Sequence, residues 1–447
     1  MDRLLTLPPQ PSATTPVRPS ACPGLLRIVQ AMDGGICRVK LAGGSITADQ
    51  AVAVAEVAQR YASGVIEATN RGNLQIRGVG PQHTELIAPL LAAGLGPSHA
   101  ASDDVRNLML SPSAGIDPQM TIDTWPLARQ ILASLETTPR LAELSAKFAV
   151  QLDGGEGLAM LEHHHDLWLS ACEQDGQTLL AFGLAGCPAH TPALAAVPVA
   201  AGHELVLAVL TLFLDLARPE QTRMRHLLEE VPVAQCVQLL AQRLSVALIP
   251  LTGWHREINP KPLHIGTYPQ RESGRVWIGA VAPLGRLDAL MLNGLAQVAR
   301  EHGDGTLRFT PWQSVLLPHI SAADAVRVTA RLQALGLLCE AADPLAHLVA
   351  CTGSSACAKG LADTKQDARQ LAAGLSRPLS IHLTGCPRSC AAAHEAPVTL
   401  LAVAPGHYDL YLRTAEQPGF GVLRERNLTI EAASAWLEAR QWSNTDD

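Results

Sequence analysis

AEVAQRYASGVIEATNRGNLQI, residues 55–76, returns 241 positions later as AQVAREHGDGTLRFTPWQSVLL, residues 296–317, without a gap. Ala55, Val57, Ala58, Gly64 and Thr69 fall on Ala296, Val298, Ala299, Gly305 and Thr310. Both copies read as an amphipathic helix, a glycine break and two short strands. In the first copy Thr47 and Gln50 have capping-box spacing, and Val54, Val57, Ala58 and Tyr61 form an apolar stripe. Leu74 and Ile76 alternate with Gln75 and Arg77, as a half-buried strand requires. The reading is a duplicated α+β unit.

Each copy is followed by a longer mixed segment of the same order. The first runs from RNLMLSPSAGID (106–117) through a helix near 125–146 to a strand in KFAVQLDGG (147–155). The second runs from HLVACTGSSAC (347–357) through a helix near 361–375 to RPLSIHLTGC (377–386). The chain therefore divides at 21–100, 101–258, 259–338 and 339–447, behind a Pro-, Ser- and Thr-rich leader at 1–20 that reads as flexible.

At 447 residues there is ample length for several domains and a large core. A net charge of −7 gives no support to a nucleic-acid partner. The leader has no signal-peptide core, and the longest apolar run, LVLAVLTLFL at 205–214, is about half a membrane span. A cytoplasmic protein with no membrane partner is expected. Ten cysteines at this length are not a secreted disulfide scaffold. Cys22, Cys37, Cys172, Cys187, Cys236 and Cys339 are scattered, and most of them read as small buried hydrophobes.

The other four are clustered. Cys351 and Cys357 follow the apolar stretch LAHLVA, Cys386 and Cys390 follow LSIHL, and 28 residues separate the pairs. If those two strands are neighbours, four sulfurs meet at one sheet edge. Such a set suits structural zinc or an iron–sulfur cluster. The five-residue gap fits a zinc knuckle poorly and favours the cluster; zinc and unliganded thiols stay open.

C-x5-C followed by C-x3-C in a duplicated chain resembles the nitrite/sulfite reductase family. The resemblance implies two ferredoxin-like half-domains and two larger mixed α/β domains about a pseudo-twofold. It also implies a [4Fe–4S] cluster on Cys351, Cys357, Cys386 and Cys390. ATNRGNLQIRG (68–78), VRNLMLSP (105–112) and AKFAV (146–150) are similar to the family's anion-binding arginine and lysine motifs. They make Arg71, Asn73, Arg77, Arg106 and Lys147 candidate substrate contacts. In one respect the chain departs: where the family's last motif carries a second lysine, this sequence has Ala149.

ACPGLLRIVQAMDGGICRVKLAGG (21–44), SPSAGIDP (111–118), KFAVQLDGG and ACTGSSACAKGLADTK (350–365) are similar to one branch of the family, the precorrin-3B synthases. That branch implies O2-dependent hydroxylation of precorrin-3A at C20, with γ-lactone formation, in aerobic cobalamin biosynthesis. The tetrapyrrole is then substrate rather than prosthetic group. An additional iron stays open, and sirohaem belongs to the alternative, a nitrite or sulfite reductase. No G-x-G-x-x-G follows a strand, so NADH electrons are expected through a separate reductase.

If 71–77 is extended, Arg71, Asn73, Gln75 and Arg77 share a parity and face one ligand, with Gly72 the weak point. The bland alternatives are solvated strand residues for Arg71 and Arg77, a loop role for Arg106 and a strand edge for Lys147. Lys359 and Arg388 neutralise a cluster or are surface charges. Trp312 stands where the first copy has Arg71, so one half is built for an anion and the other supplies thiols. The histidines of LEHHHDLWL (161–169) read as ordinary strand polar residues.

Overall fold

The computed structural model describes residues 22–392, 396–413 and 419–440; the leader expected at 1–20 lies outside them. Four five-stranded sheets form two like pairs. In the first repeat β1 (Val29–Ala31), β2 (Gly34–Val39), β3 (Ser45–Thr47), β4 (Val65–Ala68) and β5 (Leu74–Val79) accompany the helix Ala48–Tyr61. The Thr47 hydroxyl accepts from the Gln50 amide while the Gln50 side chain accepts from the Thr47 amide. This is the expected capping box, worth ~1 kcal/mol. Ala51, Val54, Ala55, Val57 and Ala58 of the helix are buried.

The first mixed segment sets β6 (Leu108–Leu110), β7 (Val150–Asp153) and β8 (Leu167–Gln174) in parallel. β9 (Gln177–Leu184) and β10 (Ala195–Pro198) then return antiparallel. The apolar run at 205–214 lies in the helix Gly202–Leu216, whose Leu205, Val206, Val209, Leu210 and Phe213 are fully buried in this unit's core. Strand geometry begins only at Val150, so Lys147, Phe148 and Ala149 precede the strand expected over 147–155.

The second repeat supplies β11 (Gly266–Pro269), β12 (Arg275–Val281), β13 (Arg286–Asp288), β14 (Thr306–Phe309) and β15 (Ser314–Ser321). β13 pairs with β4, and β14 with β3, so each repeat lends a short strand to the other's sheet. The two repeats thereby close over one hydrophobic core. Even the backbone detail recurs. Gly64 and Gly305 have φ of 77° and 76°, and Gly72 at φ 66° is matched by Gln313 at φ 62°. The turn is imposed by the fold strongly enough to hold a non-glycine in a left-handed conformation that costs ~1–2 kcal/mol.

The second mixed segment repeats the topology of the first. β16 (Leu348–Ala350), β17 (Ile381–Thr384) and β18 (Val398–Ala404) are parallel, and β19 (His407–Leu412) and β20 (Val422–Thr429) follow antiparallel. Two consequences matter for chemistry. Turns after the C-terminal ends of β16 and β17 lie side by side, and so do the segments entering β6, β7 and β8.

Candidate functional site

Ala350 of β16 is paired with Leu383 of β17, so Cys351 and Cys386 leave adjacent strands at the same edge. The turn carrying Cys351 and Cys357 folds tightly because Gly353 takes φ +69°, and a Cβ there would sit 2.6 Å from the Ala362 carbonyl oxygen. A Cβ on Gly385 would lie 3.1 Å from Gly360 Cα and 3.5 Å from Cys351 Sγ. Absence of side chains at these glycines leaves the space the sulfurs share. The Gly385 amide donates to Cys351 Sγ at 3.2 Å. Cys351, Cys357 and Cys386 are half-buried and Cys390 is exposed.

The Cys390 thiol is nonetheless pushed up, by the surrounding protein and then by Cys386, Cys351 and Cys357, against the pull of Arg388. All four sulfur groups are thus within electrostatic reach of one another. Among the described residues no three His, Cys, Asp or Glu side chains converge as ligands of a single ion. Four thiols at loop ends, a glycine-lined space and an amide donor to sulfur fit a [4Fe–4S] cluster, whose potential such hydrogen bonds tune. Lys359 and Arg388 are both exposed.

Beside the cysteines opens a cleft of about 240 Å³, lined by Arg38, Glu67, Gln75, Arg77, Lys365, Cys351 and Cys390 among others. Arg38 donates through Nη2 to Gln75 Oε1 at 2.7 Å, and burial lowers the pKa of its guanidinium. Arg77 is committed elsewhere: Nε and Nη2 reach the Asp33 carboxylate at 2.8 and 2.9 Å, and Nη1 reaches Glu67 at 3.4 Å. Glu67 also accepts from Arg286 at 2.9 Å and lies 3.8 Å from Lys365 Nζ. Burial opposes charge on Glu67, but Lys365, Arg77 and Arg286 together hold its carboxyl below the usual range. Burial pushes Lys365 down to about 8.

A second, smaller cavity of about 10 Å³ has room for roughly one water-sized group. Arg71, Asn73, Arg106, Ala149 and His165 line it. Gly72 explains why Arg71 is here: its left-handed turn ends the extended run before Leu74. The shared parity expected for 71–77 is therefore broken. Gln75 and Arg77 line the cleft, whereas Arg71 and Asn73 line the cavity. Burial, then Arg223 and Arg38, push Arg71 down to about 10. Arg106 is 3.6 Å from Glu136 and donates to the Leu95 carbonyl, leaving Nε buried without a partner. Lys147 is exposed and lines neither space.

Three groups are not among the site residues expected from the sequence, which reads His165 as an ordinary strand residue and Cys22 as one of the scattered cysteines. Arg38 sits in a strand within the stretch 21–44, where nothing in the sequence shows that it faces a cleft. Cys22 lies close enough to Arg38 and Arg71 to oppose slightly the lowering that burial imposes on both guanidinium groups. His165 precedes β8, and its neighbour Asp166 accepts from the Ala149 amide at 2.9 Å and the Met224 amide at 2.8 Å while binding Arg223. In the other half Trp312 stacks on His264, with centroids 4.8 Å apart and planes 9° from parallel.

Known proteins share this architecture. The nitrite/sulfite reductase ferredoxin-like half domain matches residues 28–94 and 268–335. The nitrite and sulphite reductase 4Fe-4S domain matches 101–248, the unit that precedes the clustered cysteines. The chain is 30% identical over 392 residues to the chloroplastic ferredoxin–nitrite reductase of Zea mays, covering 81% of this chain and 68% of that one. It is 30% identical to ferredoxin–nitrite reductase of Leptolyngbya laminosa, covering 81% and 76%. A precorrin-3B synthase of Sinorhizobium sp is 25% identical over 403 residues, covering 89% of this chain and 84% of that one. The structure of the Mycobacterium tuberculosis NirA protein superposes with a TM-score of 0.76 over 90% of this chain and 79% of its own, at 21% identity, a likeness of fold.

Proposed function

Because this chain belongs to the nitrite and sulfite reductase family of oxidoreductases, we propose that it works as a precorrin-3B synthase, with a tetrapyrrole as its substrate. The observation that carries the reading is Ala149, which closes the cavity of Arg71 and Arg106 without charge. A reductase of small oxyanions gains from every cation around the anion, and this cavity gives up one. Coverage supports it too, since the synthase relative matches a larger share of both chains than the Zea mays reductase.

In this reading Cys351, Cys357, Cys386 and Cys390 hold a [4Fe–4S] cluster, which supplies single-electron transfer when bound. Arg38 at the cleft and Arg71 at the cavity grip ring carboxylates, for which the planar guanidinium is suited. Asn73 and Arg106 position the edge of the ring near the small cavity. Arg77 fixes Glu67 and Asp33 instead of reaching for substrate, and Lys147 attracts the polyanion from the surface. The reaction balances as one oxygen atom of O2 becoming the C20 hydroxyl while a ring acetate closes the γ-lactone. The other atom leaves as water, on two electrons and two protons from a reductant such as NADH acting through a reductase.

The reductase reading keeps one favourable observation, the closer identity to the nitrite reductases. Anaerobic purification separates the two. About four iron and four sulfide per chain, no sirohaem bands, and a product one oxygen atom heavier from precorrin-3A and O2 are expected. Tightly bound sirohaem with nitrite turnover would overturn the proposal.

A further inference from the structure

His165 is 3% exposed and lines the small cavity with Arg71, Arg106 and Ala149. Its Nδ1 lies 2.9 Å from the His163 carbonyl oxygen, which can only accept, so Nδ1 carries the hydrogen and donates. Nε2 is then left with its lone pair. Burial, with Arg71 and Arg223 nearby, keeps the ring neutral by pushing it down to about 3. Of the other polar side chains at the wall, Asn107 spends its amide nitrogen on the Asp104, Ala146 and Phe148 carbonyls. The Arg71 guanidinium and the orphaned Arg106 Nε are donors. Asn73 Oδ1 is occupied by the Leu41 amide at 2.8 Å.

Resting on the tetrapyrrole reading above, we infer that His165 Nε2 is the hydrogen-bond acceptor of this cavity. The group admitted beside Arg71 is then one with a proton to give, such as a hydroxyl or ring N–H, and not a bare oxyanion. A ligand lacking such a proton leaves the buried lone pair unpaired and sets like charge density against it. Nitrite has only acceptor atoms at neutral pH. A hydroxyl on the ring satisfies both sides at once, accepting from a guanidinium and donating to the imidazole. His165 is in this sense a specificity-determining residue, placed where Ala149 has already removed a cation.

The test is calorimetric titration of the anaerobic, cluster-loaded protein with precorrin-3A and, separately, with nitrite. Wild type is compared with H165Q, which keeps an acceptor, and with H165F and H165L, which do not. Two apolar variants guard against a folding defect in either. For precorrin-3A, H165Q should stay within about threefold of wild type, while H165F and H165L weaken about tenfold. For nitrite, the apolar variants should bind as well as wild type or better. Iron and sulfide content should not change. Equal precorrin-3A binding by wild type and H165F, loss of nitrite binding in H165F, or loss of iron in every variant would each overturn the inference, the last by making His165 a metal ligand. If wild type ignores precorrin-3A, the tetrapyrrole reading fails, and the nitrite arm alone still decides whether His165 accepts or donates.

Discussion

Arg71 is held under tension between stability and use. Its guanidinium is desolvated and faces Arg223 and Arg38 with only Asp166 and Cys22 to offset them. A half-buried charge with little compensation costs stability that an anion repays on binding. Arg71→Met should therefore leave the denaturation midpoint at or above that of wild type while lowering precorrin-3A affinity by tenfold or more, since a charge-assisted pair is worth ~1.5–3 kcal/mol. Parallel urea melts and binding titrations check both halves; a variant that is less stable and binds normally would mean that Arg71 is structural. Ala149 gives the converse experiment. Its amide is tied to Asp166, so the position of its Cβ is fixed, and Ala149→Lys would carry an ammonium toward a space about one water wide. Nitrite binding should tighten about tenfold and precorrin-3A oxidation should fall by at least as much.

At the scale of elements, the turn after β16 does for the cysteines what Gly72 does for Arg71: a left-handed glycine turns the chain and sets where the side chains on either side of it point. Gly353→Ala must accommodate both φ +69° and a Cβ 2.6 Å from the Ala362 oxygen. The strand and its core neighbours lie behind the turn, so the expected result is loss of most iron from purified protein with little change in far-UV circular dichroism. Full iron content in this variant would show that the turn yields. Such turns also mark the limit of sequence reading. The repeat and the capping box follow from local periodicity and spacing, which a single chain displays openly, whereas the adjacency of the strands under the two cysteine pairs stays a condition until the sheet register supplies it. Whether Arg71 and Arg77 share a face depends on one φ angle at Gly72. That Arg77 is consumed by Asp33 and Glu67, that Lys147 is exposed and that His165 enters the cavity depends on which distant segments come together. None of these leaves a pattern along the chain. Arg38 was missed for the same reason, because nothing in CRVK distinguishes a strand arginine facing solvent from one facing a cleft.

For the whole molecule, Glu67 is where three parts of the chain meet. It lies in β4, pairs with Arg77 of β5, accepts from Arg286 of the strand lent by the second repeat, and faces Lys365 from the unit bearing the cysteines. The Lys365 ammonium donates onward to the Leu284 and Ala350 carbonyls, the latter one residue before Cys351. A single carboxylate thus faces three cations at the seam between the two halves, next to the cleft, sharing one of them, Arg77, with Asp33. Removing it leaves Arg286 and Lys365 without their carboxylate in a place with little water, and Glu67→Gln should cost ~3–5 kcal/mol. The pH dependence follows from the sign of its shift. A carboxyl held below its ordinary value contributes stability that is complete above about pH 4.5 and is lost as acid titrates it through the depressed folded value. The stability gap between wild type and Glu67→Gln should therefore be constant from about pH 7 to pH 5 and shrink below that, measured by chemical denaturation at each pH. A gap that widened in acid would mean that Glu67 is protonated in the native protein. The three cations would then be balanced from elsewhere, and the cleft would be far more electropositive than the present geometry makes it.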